Sequence, residues 1–185
     1  MNVTSNRIAR NKAGLVVVDI QERLLPAIHE RERVVANAAR LVKGAAIMKL
    51  PIFVTEHYRK GIGPTAPEVA AAVPDFAPIE KITFNSCDTD GFVDALEAKG
   101  VRDIVLCGIE AHVCVTQTCL GLLAQGFNVY VAADAISSRT PENHQVAVGR
   151  MRDAGAVIAS TEMMLFELLG CGGTDEFKQI LSLVR

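Results

Sequence analysis

The 185-residue sequence contains no tryptophan, only two tyrosines and no pair of cysteines spaced C-x-x-C. Its five cysteines are an odd number, which argues against both a disulfide framework and a structural zinc site. A reducing, cytoplasmic setting is the simpler expectation. No apolar run precedes Gly14, so a secretory signal is not expected, although a leader carrying Arg7, Arg10 and Lys12 is compatible with weak organelle targeting. No segment reaches the ~20 apolar residues that cross a bilayer. Charge of one sign is also missing: 19 basic and 21 acidic residues leave −2, which recruits neither nucleic acid nor an anionic membrane. Internal repeats and low-complexity segments are absent. A dinucleotide-binding glycine fingerprint is not found either, since Gly61-Ile62-Gly63 runs directly into Pro64 instead of opening a helix. A thioredoxin-like role lacks its paired thiols.

What is present is a well-cored chain, 50% apolar and rich in alanine and valine, which suits helices packed closely on a parallel sheet. Residues 1–12 read as a polar tail and 13–185 as one domain. Residues 14–20 form a near-continuous β-branched run, as in a central strand covered on both faces. Further strands are expected over 52–55, 79–84, 103–107, 127–132 and 156–159. Helices are expected over 30–49, 67–72, 89–99, 111–126, 140–155 and 161–169, with a tail helix capped by Thr174. Alternation of apolar strand and amphipathic helix predicts a three-layer α/β/α sandwich, Rossmann-like, around a mostly parallel six-stranded sheet. Either the tail helix or residues 163–166 are expected to contribute to a subunit interface, with closure of the core as the alternative.

Residues 105–114 organise the chain. A buried strand turns sharply at Gly108 and places Cys114 in the first turn of the next helix, where N–H groups and peptide dipoles favour a thiolate. In open α/β sheets ligands bind at this edge. The alternative is a small buried residue filling the helix–sheet seam. Asp19 ends the first strand, and a carboxylate there either meets a cation or does chemistry. Lys81 enters an apolar strand between proline-kinked segments, the alternative being an ordinary exposed charge. The three groups have complementary tasks: the carboxylate takes the thiol proton, the ammonium holds the charges together and the sulfur attacks an electrophilic carbon. His112 is a poor base for Cys114, because residues two apart on a helix point about 200° from each other. The polar loop 56–65 offers His57 and Arg59 as substrate anchors, and Gln21 lies just beyond Asp19 with its amide expected at the pocket.

On residues 15–21, 80–84, 107–114 and 134–139, the sequence resembles the isochorismatase-like cysteine hydrolases over roughly residues 10–170. Within that family, segments 55–58 and 60–65 are similar to the isochorismatase domain-containing proteins of metazoan type. The resemblance implies Cys114 as nucleophile, Asp19 as general base and then acid, and Lys81 as the orienting cation. It further implies a cis peptide between Ile109 and Glu110, and an oxyanion hole made by the N–H groups of Glu110 and Cys114. The implied activity is metal-independent hydrolysis of a small amide or carbamoyl compound through a thioester, with no cofactor, by a homo-oligomer (dimer or tetramer). The nicotinamidase branch binds a metal through an aspartate and a histidine after the second strand and a further histidine ahead of the lysine. His57 and Arg59 stand after the second strand here, arginine has no free lone pair, and residues 74–80 lack histidine, so no metal is expected. Alternatives are an isochorismatase-type vinyl ether hydrolase using Asp19 as acid, or a non-catalytic scaffold that retains the fold.

Overall fold

The computed structural model describes residues 7–185, so the first six positions of the expected tail lie outside the described residues. Six strands, β1 (Ala13–Val18), β2 (Ile52–His57), β3 (Ile79–Lys81), β4 (Asp103–Gly108), β5 (Asn128–Ile136) and β6 (Val157–Ala159), form one sheet in the order β3-β2-β1-β4-β5-β6. Every pairing between them is parallel. The helices are α1 (Arg31–Ile47), α2 (Arg59–Ile62), α3 (Pro67–Ala70), α4 (Phe92–Ala98), α5 (Thr116–Ala124), α6 (Pro141–Asp153), α7 (Thr161–Leu169) and α8 (Asp175–Val184).

Strand alternation sorts the side chains into two cores. Leu15, Val17, Val105 and Cys107 pack with Val42 of α1, Leu165 of α7 and Ile180 of α8. Val16, Val18, Ile104 and Leu106 pack on the other face with Leu96 of α4, Leu122 of α5 and Met151 of α6. The result is a three-layer α/β/α sandwich. From β1 the chain moves outward through β2 to β3, then returns to β4 on the other side of β1. The crevice at the carboxyl ends of β1 and β4 is therefore the topological switch point, where open α/β sheets bind ligands. Gly108 closes the approach of these two strands. Its φ is +137°, and a Cβ there would stand 2.1 Å from the carbonyl oxygen of Val18.

Several boundaries depart from the sequence expectation for identifiable reasons. Residues 111–115 form a π-helical turn, and α5 begins only at Thr116. The Glu110 carbonyl accepts from both Val113 N–H and Val115 N–H, which widens the turn. Strand β3 stops at Lys81 instead of reaching Phe84, because the carbonyls of Thr83 and Phe84 turn to accept from the lysine, at 3.0 and 3.4 Å. A short 3-10 turn at Ser86–Asp88 precedes α4, which starts at Phe92 after Gly91 in the left-handed region. Strand β5 runs on to Ile136, pairing it with Gly108 across an irregularity in register. The near end of the expected tail is packed: Ile8 is buried, Ala9 N–H donates to Asp103 at 2.6 Å, and Arg10 pairs with Glu176 at 2.7 Å. On α7, Met163 is exposed while Met164 and Leu165 enter the core, and Phe166 meets Phe177 of α8.

Candidate active site

Strict alternation along β1 sends Asp19 to the α1 face with Val17, away from Lys81. The backbone at Asp19 instead adopts the left-handed region, φ +52°, and the carboxylate meets two donors from the neighbouring strands. Lys81 Nζ donates to Asp19 Oδ2 at 2.6 Å and Thr55 Oγ1 donates to Oδ1 at 2.7 Å. Both charged side chains are fully excluded from solvent. Such a pair persists only when its remaining hydrogen-bonding capacity is met. Here Thr55 completes the carboxylate, and the carbonyls of Thr83 and Phe84 complete the ammonium. Thr55 carries no sequence signal of its own; its parallel register opposite Val18 places it beside Asp19.

Phe53 and Ile79 pack into the α4–α5–α6 core, so Thr55, His57 and Lys81 project from the same face of β2 and β3. Cys114 belongs to that core and approaches from the π-helical turn. It is 6% exposed. Burial pushes its thiol up to about 12, and the facing Asp19 carboxylate adds to this while Lys81 opposes it. Helix-tip reasoning alone predicts an ionised sulfur, but burial and the carboxylate reverse that outcome. Burial thus works to keep the proton on the sulfur, with the Asp19 carboxylate facing it.

The Ile109–Glu110 peptide bond is cis. The Glu110 N–H donates to no backbone carbonyl among the described residues. Ala111 N–H is held by the Ser137 carbonyl at 2.7 Å, and the buried Glu110 carboxylate is gripped by Arg139. His112 turns away from Cys114 to Ser138, with its Nδ1 3.0 Å from the hydroxyl oxygen.

The sequence places the Gln21 amide at the pocket; the structure commits it to the loop backbone. Its Nε2 donates to the carbonyls of His57 and Gly63 at 3.0 and 2.6 Å, and its Oε1 accepts from His57 N–H at 2.7 Å. Buried Glu56 works alongside it, accepting from Thr65 N–H and Oγ1 and pairing with Arg59 at 2.9 Å. Gln21 is thus an anchor for the loop over the site, and Arg59 is held at its rim. The His57 ring lies 5.2 Å from that of Phe84, and its buried Nδ1 has no hydrogen-bond partner. Among the described residues, no three His, Cys, Asp or Glu side chains converge to hold a metal ion. No described helix is long and apolar enough to cross a membrane. A cleft of about 560 Å³ opens beside Lys81, lined in part by Tyr58, Arg59, Thr83 and Thr89.

The isochorismatase domain family matches residues 13–163. "Isochorismatase domain-containing protein 2" of Danio rerio is 36% identical over 179 residues, covering 96% of this chain and 89% of the relative. A solved structure from Caenorhabditis elegans described as MAR1 ribonuclease superposes with a TM-score of 0.90 at 35% identity, covering 96% of this chain and 92% of that one. The Escherichia coli YcaC product, described as an octameric hydrolase of unknown specificity, has a TM-score of 0.90 at 29% identity, covering 96% and 88%. Matched along nearly all of its length in sequence and in fold, the chain belongs to the isochorismatase-like hydrolase family.

Proposed function

We propose that the protein is a cysteine hydrolase of small amides or carbamoyl-type compounds, acting through a thioester on Cys114. The observation that carries this reading is the buried contact of Asp19 with Lys81 at 2.6 Å, facing the buried Cys114 thiol at the switch point of the sheet. A thiol held near 12 is a poor nucleophile unaided, so the adjacent carboxylate must take its proton as sulfur attacks. The sulfur–carbon bond forms and the carbonyl oxygen gains charge, which the N–H groups of Glu110 and Cys114 receive. Collapse breaks the carbon–nitrogen bond, and Asp19 returns the proton to the leaving amine. Water then adds to the thioester, Asp19 accepts its proton, and expulsion of sulfur restores the thiol. Each charge in these steps is met by a side chain or N–H of this chain, so the route calls for no metal. One oxyanion donor contributes about 3 kcal/mol to such a transition state.

The same reading takes the protein as a homo-oligomer, as the E. coli relative is described, with Tyr58, Ile82 and Phe84 as exposed apolar side chains. The test is a panel of primary amides and N-carbamoyl compounds, read by ammonia or amine release, with an RNA substrate and isochorismate as parallel arms. Wild-type turnover of an amide that disappears in Cys114→Ala supports the proposal. Turnover of isochorismate that persists in Cys114→Ser, or cleavage of RNA with no amide hydrolysed, overturns it.

A further inference from the structure

The turn after β5 holds the backbone around Glu110 at three successive points. The Ser137 carbonyl accepts from Ala111 N–H at 2.7 Å. Ser138 Oγ accepts from His112 N–H at 3.3 Å and meets its ring Nδ1 at 3.0 Å. Arg139 closes the series with a two-pronged grip on the Glu110 carboxylate, one prong being Nη2 to Oε2 at 3.1 Å. With its carbonyl engaged by Val113 and Val115 and its carboxylate by Arg139, Glu110 leaves its own N–H without a backbone acceptor among the described residues.

The two ends of the Glu110–Arg139 pair are unequal. The glutamate side chain is 10% exposed, whereas the arginine side chain is 60% exposed. A surface ion pair of two solvated partners has little effect, but this carboxylate is shielded from water and lies beside the site. Its charge acts on the Cys114 thiol in the same sense as that of Asp19. An unneutralised carboxylate there opposes every negative charge the reaction develops, on sulfur and on the carbonyl oxygen.

We infer that Arg139 is a positioning residue for the cysteine chemistry: it neutralises the Glu110 carboxylate and clamps the Glu110 peptide so that its N–H stays aimed at the site. This rests on the proposed role of Cys114 as nucleophile. Arg139 itself touches neither the sulfur nor a substrate in this account; it acts through Glu110. The guanidinium suits the task because its planar fork meets both carboxylate oxygens at once, which an ammonium does not do.

The inference is tested without a known substrate by alkylating the native protein with iodoacetamide at fixed pH and following the Cys114 peptide by mass spectrometry. Cys171, exposed after α7, serves as reference. Arg139→Gln is expected to slow Cys114 labelling about tenfold, the effect of raising a thiol by one unit when it is labelled as thiolate. Arg139→Lys, which keeps the charge, should recover most of the rate. The double variant Glu110→Gln/Arg139→Gln should also label faster than Arg139→Gln alone. Glu110→Gln alone supplies the readout that a merely structural role would not give: it breaks the same clamp but removes the opposing charge, so it should label Cys114 no more slowly than wild type. Equal labelling of wild type and Arg139→Gln, or a double variant no faster than the single one, overturns the inference and leaves the nucleophile intact. A Cys114 that no variant labels, while Cys171 reacts, overturns the nucleophile reading and this inference with it.

Discussion

Replacing Lys81 by methionine removes the ammonium and leaves a carboxylate with 0% side-chain exposure holding only the hydroxyl of Thr55 as hydrogen-bond donor from β2. Breaking a buried pair from one side costs about 3–5 kcal/mol, a large part of the 5–15 kcal/mol that holds an ordinary domain together. The opposite change, Asp19→Asn, is milder. The lysine keeps the carbonyls of Thr83 and Phe84, and the new amide oxygen still accepts from it, so about 1–2 kcal/mol is expected. Combining the two substitutions removes the orphaned charge, so the double variant should be more stable than Lys81→Met alone. Urea unfolding followed by far-UV circular dichroism measures all three, since the absence of tryptophan rules out the usual fluorescence signal. Losses that add to within about 0.5 kcal/mol would refute the reasoning, because they would mean that the two groups do not share their desolvation.

Thr55→Val keeps shape and deletes the second donor to Asp19, which should cost about 1–3 kcal/mol and lower kcat more than KM when an amide substrate is assayed. Gly108→Ala forces a Cβ toward the Val18 carbonyl at φ +137° and should cost roughly 3 kcal/mol or more by denaturation, with loss of turnover because β1 and β4 carry both halves of the site. Alkaline pH should destabilise the fold. Burial raises the thiols of Cys114 and Cys119 to about 12, whereas the unfolded chain releases those protons near 9. Stability is therefore complete below about 9 and falls as pH rises toward 12, by about 1.4 kcal/mol per unit for each thiol, and Cys119→Ala should flatten the slope of urea midpoints against pH.

Much of this molecule is legible in the sequence because its sheet is parallel and covered on both faces. β-branched runs such as Val16 to Val18 carry the core pattern without ambiguity, and Thr140, Ser160 and Thr174 each cap their helix through the expected hydroxyl. Periodicity cannot show where a chain leaves it. The left-handed backbone at Asp19, the π-helical turn that carries Cys114 and the early end of β3 at Lys81 all answer to partners far away in sequence. Gln21 shows the same limit. Adjacent to Asp19 in the chain, it belongs to the loop that carries His57 and Gly63, and only the folded backbone reveals that commitment. Cys114 shows the limit again, because position at a helix start argues for a thiolate whereas burial against a carboxylate raises the thiol.

The most direct measurement is acid-quenched mass spectrometry of the wild-type protein during turnover of an amide found by screening. The account predicts an acyl group on the peptide containing Cys114, absent from Cys114→Ala together with all activity. Hydrolysis of the same amide by Cys114→Ala at the wild-type rate would contradict it.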